Sequence, residues 1–369
     1  MTVYLVTFFI LISFCGVELC FNKINYKRTY AFFFIYFILI FQVGLRWEMG
    51  TDWMPYFDNF QNTDSLNAVA INVLTGIEVG YGLFVFVVRS FTENYSIFLC
   101  IHAIIFYALI IKSIKDMSPL PMLSLLLFYA ITMGVLGSNR QLIALAMCLF
   151  SLKYVFSKEP KKFFFLVFIG FLFHTSSLIF SIYYFLNRDF NPRVIWALLL
   201  ASLVIGYTSL PVLFFTEISA FFGEAALSKS LWYSDKSNLP DQELSVIGLI
   251  RRIVYFAIFY FCYGSISKEI PNYKLFFNGF FVGLLFYLVF SNSLLIFVNR
   301  GSLYFNVMDV FLISCLVYLF KNKVDRILLL VFFSSFSIYQ FFQSISGYSD
   351  LFIPYQSLFF NFDYKRNLY

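Results

Sequence analysis

The chain has 369 residues, of which 61% are hydrophobic and only 12% are charged, and its formal net charge is +6. A soluble domain carries about 25% charged residues, so this composition excludes a protein with an ordinary water-exposed surface. The sequence has no basic run with interleaved polar residues, which argues against nucleic-acid binding. We therefore expect one polytopic membrane domain over residues 1–369, in which the excess of Lys and Arg sets the orientation of the loops.

Apolar stretches long enough to cross about 30 Å of hydrocarbon recur along the chain. We expect helices over residues 2–21, 29–45, 95–111, 119–137, 142–156, 163–186, 194–215, 248–264, 275–298, 302–320 and 327–346. The first has neither a basic flank nor a small-residue cleavage site, so we expect it to be retained as a helix. The predicted fold class is all-α, with about 11–12 membrane helices including re-entrant half-helices.

Two apolar segments do not fit a simple crossing. Residues 80–91 are too short, and residues 163–186 carry His174 and three hydroxyl residues at their centre. Basic loops favour the cytoplasmic side, and here they are residues 22–28, 112–118, 153–162, 187–193, 265–274 and 321–326. All of them share that side only if both segments enter the membrane and return, with His174 at the tip of a re-entrant hairpin. A single crossing by residues 163–186 would move the later loops to the other side.

This orientation predicts two outer loops, residues 47–94 with a short re-entrant helix and residues 216–247. Arg recurs beside apolar segments on that side, whereas Lys is nearly absent. Arg binds phosphate or carboxylate in a bidentate manner, although any single Arg at a helix end could simply extend to the membrane surface. We predict an outward-facing cavity for an anionic ligand, with five arginines as its phosphate-binding candidates: Arg46, Arg140, Arg251, Arg252 and Arg300.

Three groups on the same side are candidates for proton transfer. His174 could act as a general base, or it could cap a half-helix. Asp52 follows a turn-like Gly-Thr pair, and its alternative role is to hold the loop by an ion pair with Arg46 or another outer Arg. Glu78 offers a further carboxylate. No spacing of His, Cys, Asp or Glu resembles a metal site, so neither a metal nor another cofactor is predicted.

Aromatic residues are dense at the outer ends of the helices. Trp and Tyr commonly form belts at the membrane surface, and this is their default role. Because sugar faces also stack on such rings, we predict glycan contact for Trp53, Tyr56, Tyr81, Trp232 and Tyr233.

Five ordered sequence elements are similar to those of one protein family. GLRWEMGTDWMPY at residues 44–56 is similar to the pattern (L/F)RxxxGTDYxxY. The later elements follow in the family's order: EVGY at 78–81, SNRQLIA at 138–144, GFLFHTSSL at 170–178 and NRGSLYF at 299–305. Trp53 and Ser177 depart from the usual Tyr and Ala. Together the elements resemble the EpsG-type family, which belongs with the Wzy-like polymerases of bacterial surface polysaccharides.

The resemblance implies a glycosyltransferase with a GT-C-like transmembrane fold in the bacterial inner membrane, its active site facing the periplasm. Such a polymerase transfers a glycan from undecaprenyl diphosphate to the non-reducing end of another lipid-linked repeat unit, with inversion and without a nucleotide sugar. Its expected partners are the undecaprenyl-diphosphate-linked oligosaccharide and membrane lipids, but no nucleic acid; a chain-length regulator protein stays open. An O-antigen ligase, which uses lipid A core as acceptor, and a lipid-linked oligosaccharide flippase are the alternatives.

Overall fold

The structure, a computed structural model, describes residues 1–20, 25–221, 223–234, 246–294, 298 and 301–366. This described part is α-helical with short 3-10 segments and contains no β-sheet. The chain forms two compact units, one of Met1–Tyr184 with Ile313–Tyr369 and the other of Phe185–Leu312.

The helices follow one another with short connections. The first unit contains α1 (Thr2–Cys20), α2 (Asn25–Gly44), α3 (Trp53–Asn62), α4 (Leu66–Leu74), α5 (Val79–Arg89), α6 (Tyr95–Met117), α7 (Pro121–Thr132), α8 (Asn139–Ser151), α9 (Lys153–Phe156) and α10 (Pro160–Phe173). The second contains α11 (Pro192–Gly206), α12 (Leu210–Phe221), α13 (Glu224–Ser234), α14 (Val246–Glu269), α15 (Tyr273–Phe290) and α16 (Leu303–Asn306). The chain then continues through α17 (Met308–Tyr318) and α18 (Lys323–Ile345).

Five helices of the described part are long and apolar enough to cross a membrane, namely α1, α6, α14, α15 and α18. Shorter apolar helices lie at Tyr30–Gly44, Val79–Arg89, Pro121–Val135 and Leu303–Tyr318. Large apolar side chains are exposed on these helices, as expected where lipid covers them; Phe9 and Phe261 are 72% and 82% exposed. The prediction of an all-α, multi-pass membrane protein is confirmed.

The predicted break at His174 is present. α10 ends at Phe173, His174 is extended (φ −157°, ψ 122°), and a 3-10 helix spans Thr175–Phe185. The ring of Phe163, near the start of α10, lies 5.5 Å from the ring of Tyr184, near the end of the 3-10 helix. The chain therefore doubles back at His174, which forms the tip of a hairpin.

The span predicted over residues 194–215 is broken and not continuous. α11 ends at Gly206, α12 begins at Leu210, and the two axes differ by 78°. A Cβ atom on Gly206 would lie 2.1 Å from the carbonyl oxygen of Leu288, so the close approach of α15 requires glycine here. Asn292 donates its side-chain N–H to the carbonyl oxygen of Gly206 (3.2 Å), which supplies a partner where the helix stops.

Residues 346–366 form an ordered segment for which the sequence alone gives no prediction. The segment lies against the loop that follows α2. Trp47 donates its backbone N–H to the carbonyl oxygen of Gln356 (3.1 Å), and Leu358 donates its own to the carbonyl oxygen of Leu45 (3.2 Å). The C-terminal segment thus holds the start of the predicted outer loop.

Arg366 joins different parts of this segment by hydrogen bonds. The residue is 9% exposed, and its Nε donates to Oε1 of Gln356 (3.1 Å). Its Nη1 and Nη2 donate to the carbonyl oxygens of Asp350 and Pro354. A buried carbonyl that loses its donor costs about 1–3 kcal/mol. Arg366 therefore stabilises the segment that packs on the loop after α2.

Replacing Arg366 with Ala should lower the free energy of unfolding, because three acceptors lose their donor. We expect a loss of about 1–3 kcal/mol, measured by denaturant unfolding of the detergent-solubilised protein. Lys365→Ala is the matched control, since Lys365 is the exposed neighbour. Equal stability of the two variants would contradict the role assigned to Arg366.

Candidate functional site

Two glycines bring the loop after α2 onto the turn before α8. Gly50 (φ 98°) and Gly137 (φ 120°) adopt the left-handed conformation that favours glycine. A Cβ atom on Gly50 would lie 2.3 Å from a carbonyl oxygen of this turn, and one on Gly137 would lie 2.7 Å from the nitrogen of Thr51. Glycine at both positions thus permits the backbones to meet. The contact places Asp52 beside the start of α8, with its Oδ2 3.5 Å from Oγ of Ser138.

Arg140 occupies the second position of α8 and is held from two sides. Its Nε donates to the hydroxyl oxygen of Tyr56 (3.0 Å). Its Nη1 donates to Oε2 of Glu78 (2.6 Å) and to the carbonyl oxygen of Gly76 (3.2 Å). The side chains of Arg140 and Glu78 are 24% and 12% exposed. Within the described residues Nη2 of Arg140 has no hydrogen-bond partner, so the guanidinium is fixed while one arm can still donate.

Glu78 connects Arg140 to the tip of the hairpin. Its Oε2 binds Arg140, and its Oε1 accepts a hydrogen bond from the backbone N–H of Thr175 (3.1 Å). α5 begins directly after Glu78, and a Cβ atom on Gly80 in its first turn would lie 2.7 Å from the carbonyl oxygen of Leu172. This close approach brings the start of α5, the start of α8 and the end of α10 to one place.

His174 lies next to this connection. Its Nδ1 is 2.6 Å from Oγ of Ser176 and 3.3 Å from the backbone nitrogen of the same residue. A backbone N–H can only donate, so Nδ1 accepts, and the neutral imidazole then carries its proton on Nε2. In this tautomer Nδ1 is the acceptor and Nε2 carries the proton, so neither nitrogen has a lone pair left for a general base.

Trp53, Tyr56 and Tyr81 belong to a buried aromatic cluster. They are 3%, 6% and 0% exposed. Trp53 stacks on Phe57 with ring centroids 5.0 Å apart, and Tyr56 packs edge-on against Tyr81 at 5.4 Å. A sugar stacks only on an accessible ring face, so the structure does not support the glycan contact predicted for these three residues. Burial of the large ring areas explains why they pack inward.

The hydroxyl of Tyr56 supports Arg140 and keeps its proton. Burial raises the pKa of Tyr56 above its ordinary value, and the charge and hydrogen bond of Arg140 only partly offset this effect. The phenol is therefore neutral at physiological pH. Its oxygen accepts the hydrogen bond from Nε of Arg140, and its own proton is available for one further bond.

Arg46 is buried behind the site and is 1% exposed. Its Nη1 donates to the carbonyl oxygen of Val43 (2.6 Å) and its Nη2 to Oδ1 of Asn139 (2.8 Å). Burial lowers the pKa of Arg46, and no carboxylate of the described residues lies within 4 Å of it. The structure supports neither the diphosphate contact nor the ion pair with Asp52 predicted for this residue. Arg46 instead holds the residue that precedes Arg140.

Asn139, the first residue of α8, is a site residue that sequence reasoning missed. In addition to its bond with Arg46, Asn139 has two further contacts. Its carbonyl oxygen lies 2.9 Å from Nε2 of the buried His102, and its Nδ2 lies 3.5 Å from the hydroxyl of Tyr95. Its place next to Arg140 within the element at residues 138–144 is the signal that could have identified it. These buried contacts fix the start of α8.

In the second unit, Arg251 and Arg252 lie in the first turns of α14. The guanidinium of Arg252 lies 4.1 Å from the ring centre of Tyr287 and donates to the carbonyl oxygen of Gly248 (3.1 Å). Both arginines interact electrostatically with Asp309 of α17. The two candidates are thus brought together, beside a carboxylate.

Trp232 and Tyr233 lie in α13, a helix within the predicted outer loop of residues 216–247. Trp232 is 50% exposed and packs edge-on against Tyr233 at 5.2 Å. An exposed ring is accessible to a sugar, and glycan contact by this pair stays a prediction. Arg300 and residues 235–245 of the loop lie outside the described residues.

The contacts of Tyr56, Glu78 and Arg140 join elements that are far apart in the sequence. The model of the EpsG family matches residues 29–357, a range that contains all of these contacts. The chain belongs to the EpsG family. The resemblance drawn from the five sequence elements is confirmed, and membership of this Wzy-like polymerase family indicates a polysaccharide-polymerase type of function. Comparisons with curated proteins and with solved structures gave no match.

In this EpsG-family protein the Glu78–Arg140 pair should couple in a double-mutant cycle. Removing either partner leaves a half-buried charge without its counter-charge, so the effects of Glu78→Ala and Arg140→Ala should not add. We expect a coupling of about 2 kcal/mol in the free energy of unfolding, within the range for contacting residues. The exposed Glu159–Lys162 pair is the control and should show little coupling, because water screens it. Similar coupling in both cycles would contradict the positioning role of Glu78.

Proposed function

We propose that this protein is a glycosyltransferase that polymerises undecaprenyl-diphosphate-linked oligosaccharide repeat units on the periplasmic face of the bacterial inner membrane. The family membership and the membrane helices support this class of function. The observation that carries the proposal is Arg140, a fixed cation at the start of α8 whose Nη2 is able to donate.

Arg140 suits a diphosphate leaving group. The start of a helix attracts anions through its free backbone N–H groups and its dipole. The guanidinium adds charge-assisted hydrogen bonds to phosphate oxygens. Because Tyr56 and Glu78 already hold Nε and Nη1, the cation need not reorganise as negative charge develops on the leaving diphosphate.

Asp52 is the group best suited to act as the general base. Glu78 uses both carboxylate oxygens in hydrogen bonds within the site, and Nδ1 of His174 is occupied by the backbone N–H of Ser176. Among the described residues the Asp52 side chain makes a single long hydrogen bond, at 3.5 Å, to Ser138. Its carboxylate therefore retains free lone pairs beside Arg140's helix.

The proposed reaction is one displacement at the anomeric carbon of the donor repeat unit. The acceptor hydroxyl gives its proton to Asp52 while its oxygen bonds to the anomeric carbon. The bond from that carbon to the diphosphate oxygen breaks, and its electron pair stays on the diphosphate beside Arg140. Displacement from the opposite face inverts the anomeric configuration. His174 stays a candidate for proton transfer, and Arg251 and Arg252 stay predicted phosphate ligands.

Reconstitution of the purified protein with its native lipid-linked repeat unit tests the proposal. The wild-type protein should produce a ladder of glycans on a gel. Arg140→Lys should lower the rate by about 10²–10³, because the rigid fork of donors is lost. Asp52→Asn should lower it by about 10²–10⁴, the contribution of a general base. The rate is read from the disappearance of the single repeat unit.

Arg89→Ala is the matched control for these variants. Arg89 is another half-buried arginine of the same unit, and it pairs with Glu93 outside the candidate site. This variant should polymerise at nearly the wild-type rate. Transfer to added lipid A core without a ladder would mean a ligase, and movement of lipid-linked sugar between leaflets without either product would mean a transporter. Both results would overturn the proposal.

A further inference from the structure

An apolar groove of about 230 Å³ lies between α2 and α6. Three aromatic residues of α2 and four residues of α6 form its walls and rim: Phe32, Phe33, Tyr36, Ala108, Ile111, Lys112 and Lys115. Phe33 is 57% exposed, so part of the aromatic wall faces outward. In a membrane protein an outward-facing apolar wall is in contact with lipid chains.

The groove lies at the end of α6 that is remote from the candidate functional site. At the start of α6, Tyr95 packs edge-on against Trp53 at 5.5 Å, whereas Lys112 and Lys115 lie in the last two turns of the same helix. With a rise of 1.5 Å per residue, Lys115 is about 30 Å along the helix from Tyr95, comparable to the thickness of the hydrocarbon layer. The groove and the candidate site therefore lie toward opposite membrane surfaces.

Lys115 supplies an uncompensated positive charge at the groove. Its Nζ lies 5.2 Å from the ring centre of Phe32, and within the described ranges no carboxylate lies within 4 Å of it. Lys112 pairs with Asp116 at 2.9 Å, but both side chains are exposed, and such pairs open at little cost. A cation at the rim of an apolar groove matches a lipid that carries a phosphate next to its acyl chains.

We propose that this groove binds an anionic phospholipid, with an acyl chain against the aromatic wall and the phosphate at Lys112 and Lys115. The distribution of Lys and Arg along the chain assigns these two lysines to the cytoplasmic side. Anionic lipids make that membrane surface negative, which favours the proposed ligand over a zwitterionic one. The lipid site is distinct from the proposed catalytic site and does not depend on the polymerase activity.

Native mass spectrometry of the full-length protein, titrated in detergent with phosphatidylglycerol or with phosphatidylcholine, measures this binding. The wild-type protein should prefer phosphatidylglycerol. Lys115→Gln should weaken its binding about fivefold and the double change Lys112→Gln/Lys115→Gln about 25-fold, the effect of one and two basic residues at an anionic headgroup. Phosphatidylcholine binding should change little.

Two further variants separate the groove from general surface charge. Ala108→Phe fills the groove without changing the charge, and it should abolish the preference for phosphatidylglycerol. Lys162→Gln removes an exposed lysine of α10 that is predicted to lie on the same side, and it should bind like the wild type. The unfolding temperature of each lipid-free variant shows that the protein is folded.

Four results would overturn the proposal. The first is equal phosphatidylglycerol binding by the wild type and the double variant. The second is an equally large loss in Lys162→Gln, which would mean general surface charge. The third is displacement of phosphatidylglycerol by an equimolar polyprenyl phosphate, which would make the ligand a carrier lipid. The fourth is a lower lipid-free unfolding temperature with unchanged lipid binding, which would mean that the lysines only stabilise the negative end of the α6 dipole.

Discussion

Glu78 accepts one hydrogen bond from Arg140 and another from the backbone of Thr175, so a single carboxylate joins α5, α8 and the hairpin after α10. Hydrogen bonds between charged groups are short and directional, and a half-buried pair is shielded from much of the screening that weakens exposed pairs. The pair fixes the cation in one orientation while leaving Nη2 of Arg140 available. Glu78 thereby sets the position of Arg140, the residue that carries the proposed function.

That arrangement is supported by close backbone contacts and by buried arginine side chains around the start of α8 and the loop after α2. Gly50 and Gly137 let two turns meet at distances that no side chain would tolerate. The buried guanidinium of Arg46 holds Asn139 at the start of α8, and Arg366 holds together the C-terminal segment that packs on the loop after α2. A catalytic group must be held to within a fraction of an ångström, and such support from a second layer of residues supplies that precision.

The two ends of α6 carry different chemistry. Near its start the site relies on arginine, whose planar fork can bind neighbouring protein groups and a phosphate at the same time. Near its end Lys112 and Lys115 present compact charges on flexible stems, which suit a mobile lipid headgroup. Because α6 is about as long as the hydrocarbon layer is thick, this one helix extends from the candidate functional site to the groove proposed to bind lipid.

The sequence by itself determined the fold class and the positions of α1, α6, α14 and α18, because long apolar runs enter a membrane and form helices whatever their neighbours are. The polar residues at the centre of an apolar segment and the charges of the loops indicated the break at His174. The ordered sequence elements indicated the family. The sequence also singled out Arg140, Glu78, His174 and Asp52. The tertiary structure alone decided that Arg46, Trp53 and Tyr81 are buried, that residues 194–215 are bent, and that residues 346–366 close over a distant loop. Hydropathy reports the preference of a segment for lipid or water, whereas the accessibility of one side chain depends on which distant backbone packs against it.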